Sequence, residues 1–240
     1  MTSHMDYRMV GLCAEFHHSP VAPESEAFGR LFDALTKKGQ TLYQHKDLDR
    51  SGYVRFHSTL GEGYRSEAVF ASNRFSLVEV RPVLKLDDFD LRMVGVARAA
   101  LDILGVPFVD KHVVDYRLLY FPRHREEGRT FVLDRLCAQK DALTPFFNRA
   151  VTSGIWQATF AGSPGEPGDF RVAVESALRR PREVTVDVKA QFTHRRLDAT
   201  TAKRASQHLA TVELFVAKRL MPFLEQFDVP LSGRSGPLAR

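Results

Sequence analysis

The run Asp47-Leu48-Asp49-Arg50-Ser51-Gly52-Tyr53-Val54 has oxygen-bearing side chains at its first, third and fifth positions and a glycine at its sixth. That pattern begins a calcium-binding loop, because carboxylates and hydroxyls suit a hard cation and glycine allows the sharp turn. The ninth position is Arg55, however, and the twelfth is Ser58 where a bidentate glutamate belongs. The flanks also alternate like strands, so a hairpin turn accounts for the same residues. Asp47, Asp49 and Ser51 therefore stand as a calcium expectation beside a turn expectation.

Glu15, His17, His18, His45 and His57 are the residue types of a divalent-metal site. Neighbouring residues on a strand point to opposite faces, so only one of His17 and His18 can join Glu15. Cys137 would need a base and an electropositive pocket to act as a nucleophile. It falls among Phe131, Leu133 and Leu136 on a predicted helix, the surroundings of a packed thiol. The chain has no G-x-S-x-G, P-loop or G-x-G-x-x-G sequence. The reading is of a protein without a cofactor, leaning away from an enzyme.

Positive charge is the other source of chemistry. Arg123, Arg125, Arg179, Arg180, Arg182, Arg195 and Arg196 cluster at predicted turns and element ends, where they are candidates for phosphate contact. Residues 1–105 hold 13 Lys+Arg against 14 Asp+Glu, and the remaining 21 against 15 follow, so the net +5 belongs to the second half. An arginine-rich solvated surface is the alternative reading. Two cysteines in 240 residues are too few for a disulfide scaffold, and the sequence has neither a signal-like start nor a membrane-length apolar run. The expected compartment is the cytoplasm.

These residues must be positioned by elements that hydrophobic periodicity outlines. Alternation predicts a strand over 7–16, and Phe28, Leu31, Phe32 and Leu35 mark a helix stopped by Gly39. Turn residues at hairpin spacing divide 40–46, 53–57, 65–71 and 75–81 into a four-stranded antiparallel meander. A helix over 87–104 follows, capped by Asp87 or Asp88. The second half repeats the order, with a strand over 113–121, a helix from Thr130 to about Phe147, strands over 154–160, 170–177 and 183–192, and a helix from Asp198 or Thr200 to about Glu225. In the last strand Val184, Val186, Val188, Ala190 and Phe192 alternate with Glu183, Thr185, Asp187, Lys189 and Gln191, so one sheet face is buried and the other wet.

The predicted fold is α+β, with two pseudo-symmetric strand-helix-strands-helix repeats over 6–106 and 107–229. The second repeat has three strands after its helix and the first has four. Helices cover one face of a curved antiparallel sheet, and 230–240 reads as a disordered tail. This element order resembles the TATA-box-binding-protein-like fold, duplicated in that protein and present once in helix-grip ligand-binding proteins. The resemblance implies a continuous sheet with an open face. It does not bring DNA binding with it, because Glu183 and Asp187 on that face would repel phosphate.

Three functions follow as expectations. The first is a non-catalytic binding or interaction protein, with a protein partner or a second copy. The second is nucleic-acid binding through the basic second half, with Tyr116, Tyr120, Trp156, Phe160 and Phe170 available for stacking. The third is a small apolar ligand held between the sheet and a long helix.

Overall fold

The computed structural model describes residues 7–36, 43–48, 53–59, 61, 63–81, 85–124, 127–137, 153–163, 167–176, 180–193 and 196–229. Its strands are β1 (Tyr7–His17), β2 (His45–Leu48), β3 (Val54–Thr59), β4 (Arg65–Phe70), β5 (Arg74–Val80), β6 (Lys111–Tyr120), β7 (Ile155–Phe160), β8 (Asp169–Ser176) and β9 (Val184–Phe192). They form one antiparallel sheet in the order β2-β3-β4-β5-β1-β6-β9-β8-β7. The chain is therefore α+β. The sequence-order neighbours β2 to β5 and β7 to β9 are meanders, and β1 and β6 join them side by side.

Alternation fixes which side of each strand is buried. Leu12, Ala14 and Phe16 of β1 face the core along with Phe75 and Leu77 of β5 and Val186, Val188 and Ala190 of β9. A one-residue slip of β9 would expose its whole valine row, and each buried valine contributes roughly 1.5–3 kcal/mol, so the register is strongly specified.

The helices α1 (Ser25–Thr36), α2 (Leu86–Ile103) and α4 (Arg204–Phe215) bury apolar stripes on that face. In α2 the stripe is Phe89, Met93, Val96, Ala97, Ala100 and Leu101, the three- and four-residue spacing of one helix side. The short α3 (Gly128–Thr130) runs into a π-helical stretch, Phe131–Leu136. Gly128 is required there by contact: a Cβ would lie 2.6 Å from the Glu183 carbonyl oxygen. The terminal helix also widens, at Val216–Leu220, before α5 (Met221–Phe227). Pro222 explains that widening, since it has no N–H to donate and its ring crowds the preceding turn.

Several boundaries move for physical reasons. The first meander strand is His45–Leu48 instead of 40–46, and Tyr43 is a buried core residue just outside it. The α2 N-cap is Lys85, with no side-chain bond, and Asp87 and Asp88 lie within the first turn, where they complement the helix dipole. Asp198 does act as a cap-like acceptor, taking the N–H groups of Thr200 and Thr201 at 2.9 Å each, but α4 begins at Arg204 after a series of tight turns. The predicted helix from Thr130 is helical to Leu136 and ends in the cap residue Cys137; residues 138–147, like the expected tail 230–240, lie outside the described residues.

Candidate functional site: the open face of the sheet

The sheet side opposite the helices carries the charge. Across β1 and its neighbours, directly opposed residues form rungs, and one rung runs His45, His57, Glu67, Val78, Cys13, Asp115, Lys189, Arg171, Thr159. On one side of it is a rung of Asp47, Arg55, Val69, Ser76, Glu15, Val113, Gln191 and Asp169. On the other, Arg65 and Val80 lead to Gly11, Arg117, Asp187, Ala173 and Gln157.

Acid and base alternate closely enough to pair. Arg117 Nε donates to Asp187 Oδ1 at 2.6 Å, Arg55 to Asp47 at 2.8 Å, and Arg171 to the Gln157 amide oxygen at 2.8 Å. Arg65 lies 3.3 Å from Glu67, and His17 lies 3.1 Å from Glu15. Arg117 and Arg65 are still 62% and 54% exposed, so this surface faces solvent.

The centre of the face is drier. Val113 is buried there, although it does not belong to the helix-covered core. Burial holds the Asp115 carboxyl above its ordinary range, and the nearby Asp187 charge adds to the effect. Burial pushes the Cys13 thiol up to about 12, reinforced by the Glu15 and Asp115 carboxylates. At that value Cys13 is protonated and a poor nucleophile. Burial lowers the His17 imidazole, as does Lys111, against the opposing hydrogen bond to Glu15.

Asp47 sits within β2, bonded to Arg55 and 3.4 Å from the His57 ring. Asp49 and Ser51 lie outside the described residues. His17 and His45 lie on different rungs, and His18 donates from Nδ1 to the Ser19 carbonyl at 2.8 Å. Cys137 is half-buried against the core, and burial raises its thiol.

The arginine candidates divide between two places. Arg123, Arg180 and Arg182 lie at the end of the sheet where Tyr120 of β6 pairs with Val184 of β9. Arg123 pairs with Glu225 at 3.2 Å and Arg180 with Glu183 at 3.1 Å. Arg196 is at the opposite end, 3.9 Å from Asp110 and 4.2 Å above the Phe108 ring. The ten residues of β6 separate these groups by about 30 Å. Arg125, Arg179 and Arg195 lie outside the described residues.

Two buried polar arrangements escaped sequence reasoning. Under α2, Ser66 Oγ donates to Glu79 at 2.6 Å while Arg92 reaches Ser66 at 2.8 Å and Glu79 at 3.2 Å. Burial raises the Glu79 carboxyl despite that guanidinium. Under α4, His112 and His208 meet through their Nδ1 atoms. Both are contacts between residues distant in sequence, invisible until strand register and helix placement are known. A shallow groove of about 120 Å³ lies between β8 and α4, lined by Phe170, Thr211, Leu214, Phe215, Lys218 and Arg219. Among the described residues no group of three or more metal-ligating side chains assembles, and no helix is long and apolar enough to cross a membrane. No protein-family model matches the chain, and no curated protein matches it.

Proposed function

We propose that the chain is a non-catalytic interaction protein that engages another protein through the open face of its sheet, on a scaffold of two repeats of the kind seen in the TATA-box-binding-protein-like fold. The strand order supports the duplication, since β1 to β5 and β6 to β9 each wrap a meander back onto their own first strand. The observation that carries the function is the face itself: carboxylates and cations interleave on its central rungs, around a drier strip at Cys13, Val113 and Asp115. Interleaved charge around a partly buried strip matches the polar rim and drier middle of a protein interface. A nucleic acid would set its phosphates against Glu15, Glu67, Asp115 and Asp187 within a Debye length.

Affinity capture tests this reading with the full chain and with an Arg117→Glu/Lys189→Glu variant. A protein captured by the wild type and lost by the variant supports it; capture unaffected by the variant overturns it. The second reading, phosphate contact by Arg123, Arg180 and Arg182, is favoured by their common location at one sheet end. It predicts a shift of generic DNA or RNA at low salt that weakens steeply as salt rises, and no such shift refutes it.

A further inference from the structure

The two edges of the sheet are built differently. The β2 edge is four residues long and carries His45, Lys46 and Asp47, the short charged form that discourages strand addition. The β7 edge, Ile-Trp-Gln-Ala-Thr-Phe, is six residues long and has no charge, proline or glycine. It lies inside the longest uncharged run of the sequence, residues 150–165, in a chain that is 26% charged. Ile155 is 56% and Phe160 43% exposed, and the Phe160 ring packs 5.9 Å from that of Phe215 in α4. Among the described residues β7 has only one strand partner, β8.

We infer that β7 pairs antiparallel with β7 of a second copy of this chain, joining two nine-stranded sheets across a twofold axis. The absence of charge fits that occupant. A twofold axis sets a strand against its own sequence reversed, and β7 brings no ionised group into the buried seam in any register, whereas β2 would have to bury His45, Lys46 and Asp47 there. The side chains also match under the symmetry. With Ala158 on the axis, Trp156 lies opposite the partner's Phe160 and Gln157 opposite the partner's Thr159, giving aromatic pairs on the helix side and polar pairs on the open side. Phe215 of α4, against which Phe160 packs, extends the apolar contact from the sheet edge to the helix layer.

Trp156 is the sole tryptophan, so its emission reports on this contact. Sedimentation equilibrium on the full chain is expected to give twice 27.2 kDa, with the emission of Trp156 moving to shorter wavelength as dimer forms. Thr159→Lys should weaken dimerisation by about tenfold or more. Ile155→Lys is a second edge variant, with its cation opposite Glu175 in the same sheet, and should weaken it similarly; circular dichroism confirms that both are folded. A monomer throughout the micromolar range overturns the inference. So does a dimer that both folded variants leave intact with unchanged Trp156 emission, and so does open-ended assembly, which a twofold contact does not produce.

Discussion

His112 Nδ1 lies 2.9 Å from His208 Nδ1, between rings that stack on Phe16 and Phe192 respectively. At that distance one nitrogen donates and the other accepts, so the neutral pair carries one proton between them. Burial holds the His112 imidazole well below its ordinary range, and the neighbouring His208 acts in the same direction. In the unfolded chain the same histidine titrates near 6.5.

The pH dependence follows from that difference. The folded state holds His112 neutral, so its contribution is fully present above about pH 6.5 and is lost as pH falls below it, when the unfolded chain takes up the proton first. Urea denaturation between pH 7.5 and 5 should show falling stability. His112→Phe, which keeps a ring against Phe16, should flatten that slope; an unchanged slope would assign it to other groups.

The Glu79–Arg92 pair gives an asymmetric prediction. Arg92→Met leaves a buried carboxylate facing Ser66 alone and should cost about 3–5 kcal/mol at neutral pH. Adding Glu79→Gln should recover part of that loss, because the uncompensated charge is then gone. Equilibrium unfolding of the single and double variants measures the recovery.

Gly168 has φ +108°, and a Cβ there would come within 2.5 Å of the Phe192 ring. Gly168→Ala combines a backbone region closed to most side chains with an overlap at β9. It should lower stability by about 1–3 kcal/mol, seen as a reduced unfolding midpoint.

Much of this architecture is legible in the sequence because alternation and turn residues are local signals. The β9 pattern from Val184 to Phe192 revealed both its buried and its wet face, and the strands expected over 154–160, 170–177 and 183–192 are all present. Boundaries shifted where side chains outside a strand are buried for other reasons, as Tyr43 is, or where a cap uses backbone geometry alone, as at Lys85. The polar pairs were not legible. Glu79 and Arg92 are on a strand and the following helix, and His112 and His208 are 96 positions apart, so only packing brings them together. The same limit applies to the open face: Asp187 was visible as a wet residue, but its Arg117 partner was set by the β6–β9 register.

Cys13 offers a test of the dry centre. With its thiol pushed up to about 12, only about one molecule in ten thousand is thiolate at pH 8, so a disulfide reagent should modify native Cys13 far more slowly than the denatured chain. Rapid native labelling of Cys13, located by peptide mapping, would show that the strip is open and polarised differently.

Lysine footprinting in the presence of the captured partner tests the open-face interaction most directly. Lys111 and Lys189 lie on that face, while Lys203 and Lys218 lie on the exposed side of the terminal helical segment. The predicted result is partner-dependent protection of Lys111 and Lys189 with Lys203 and Lys218 unchanged. Protection of Lys203 and Lys218 alone would place the partner on the helices and contradict the proposed function.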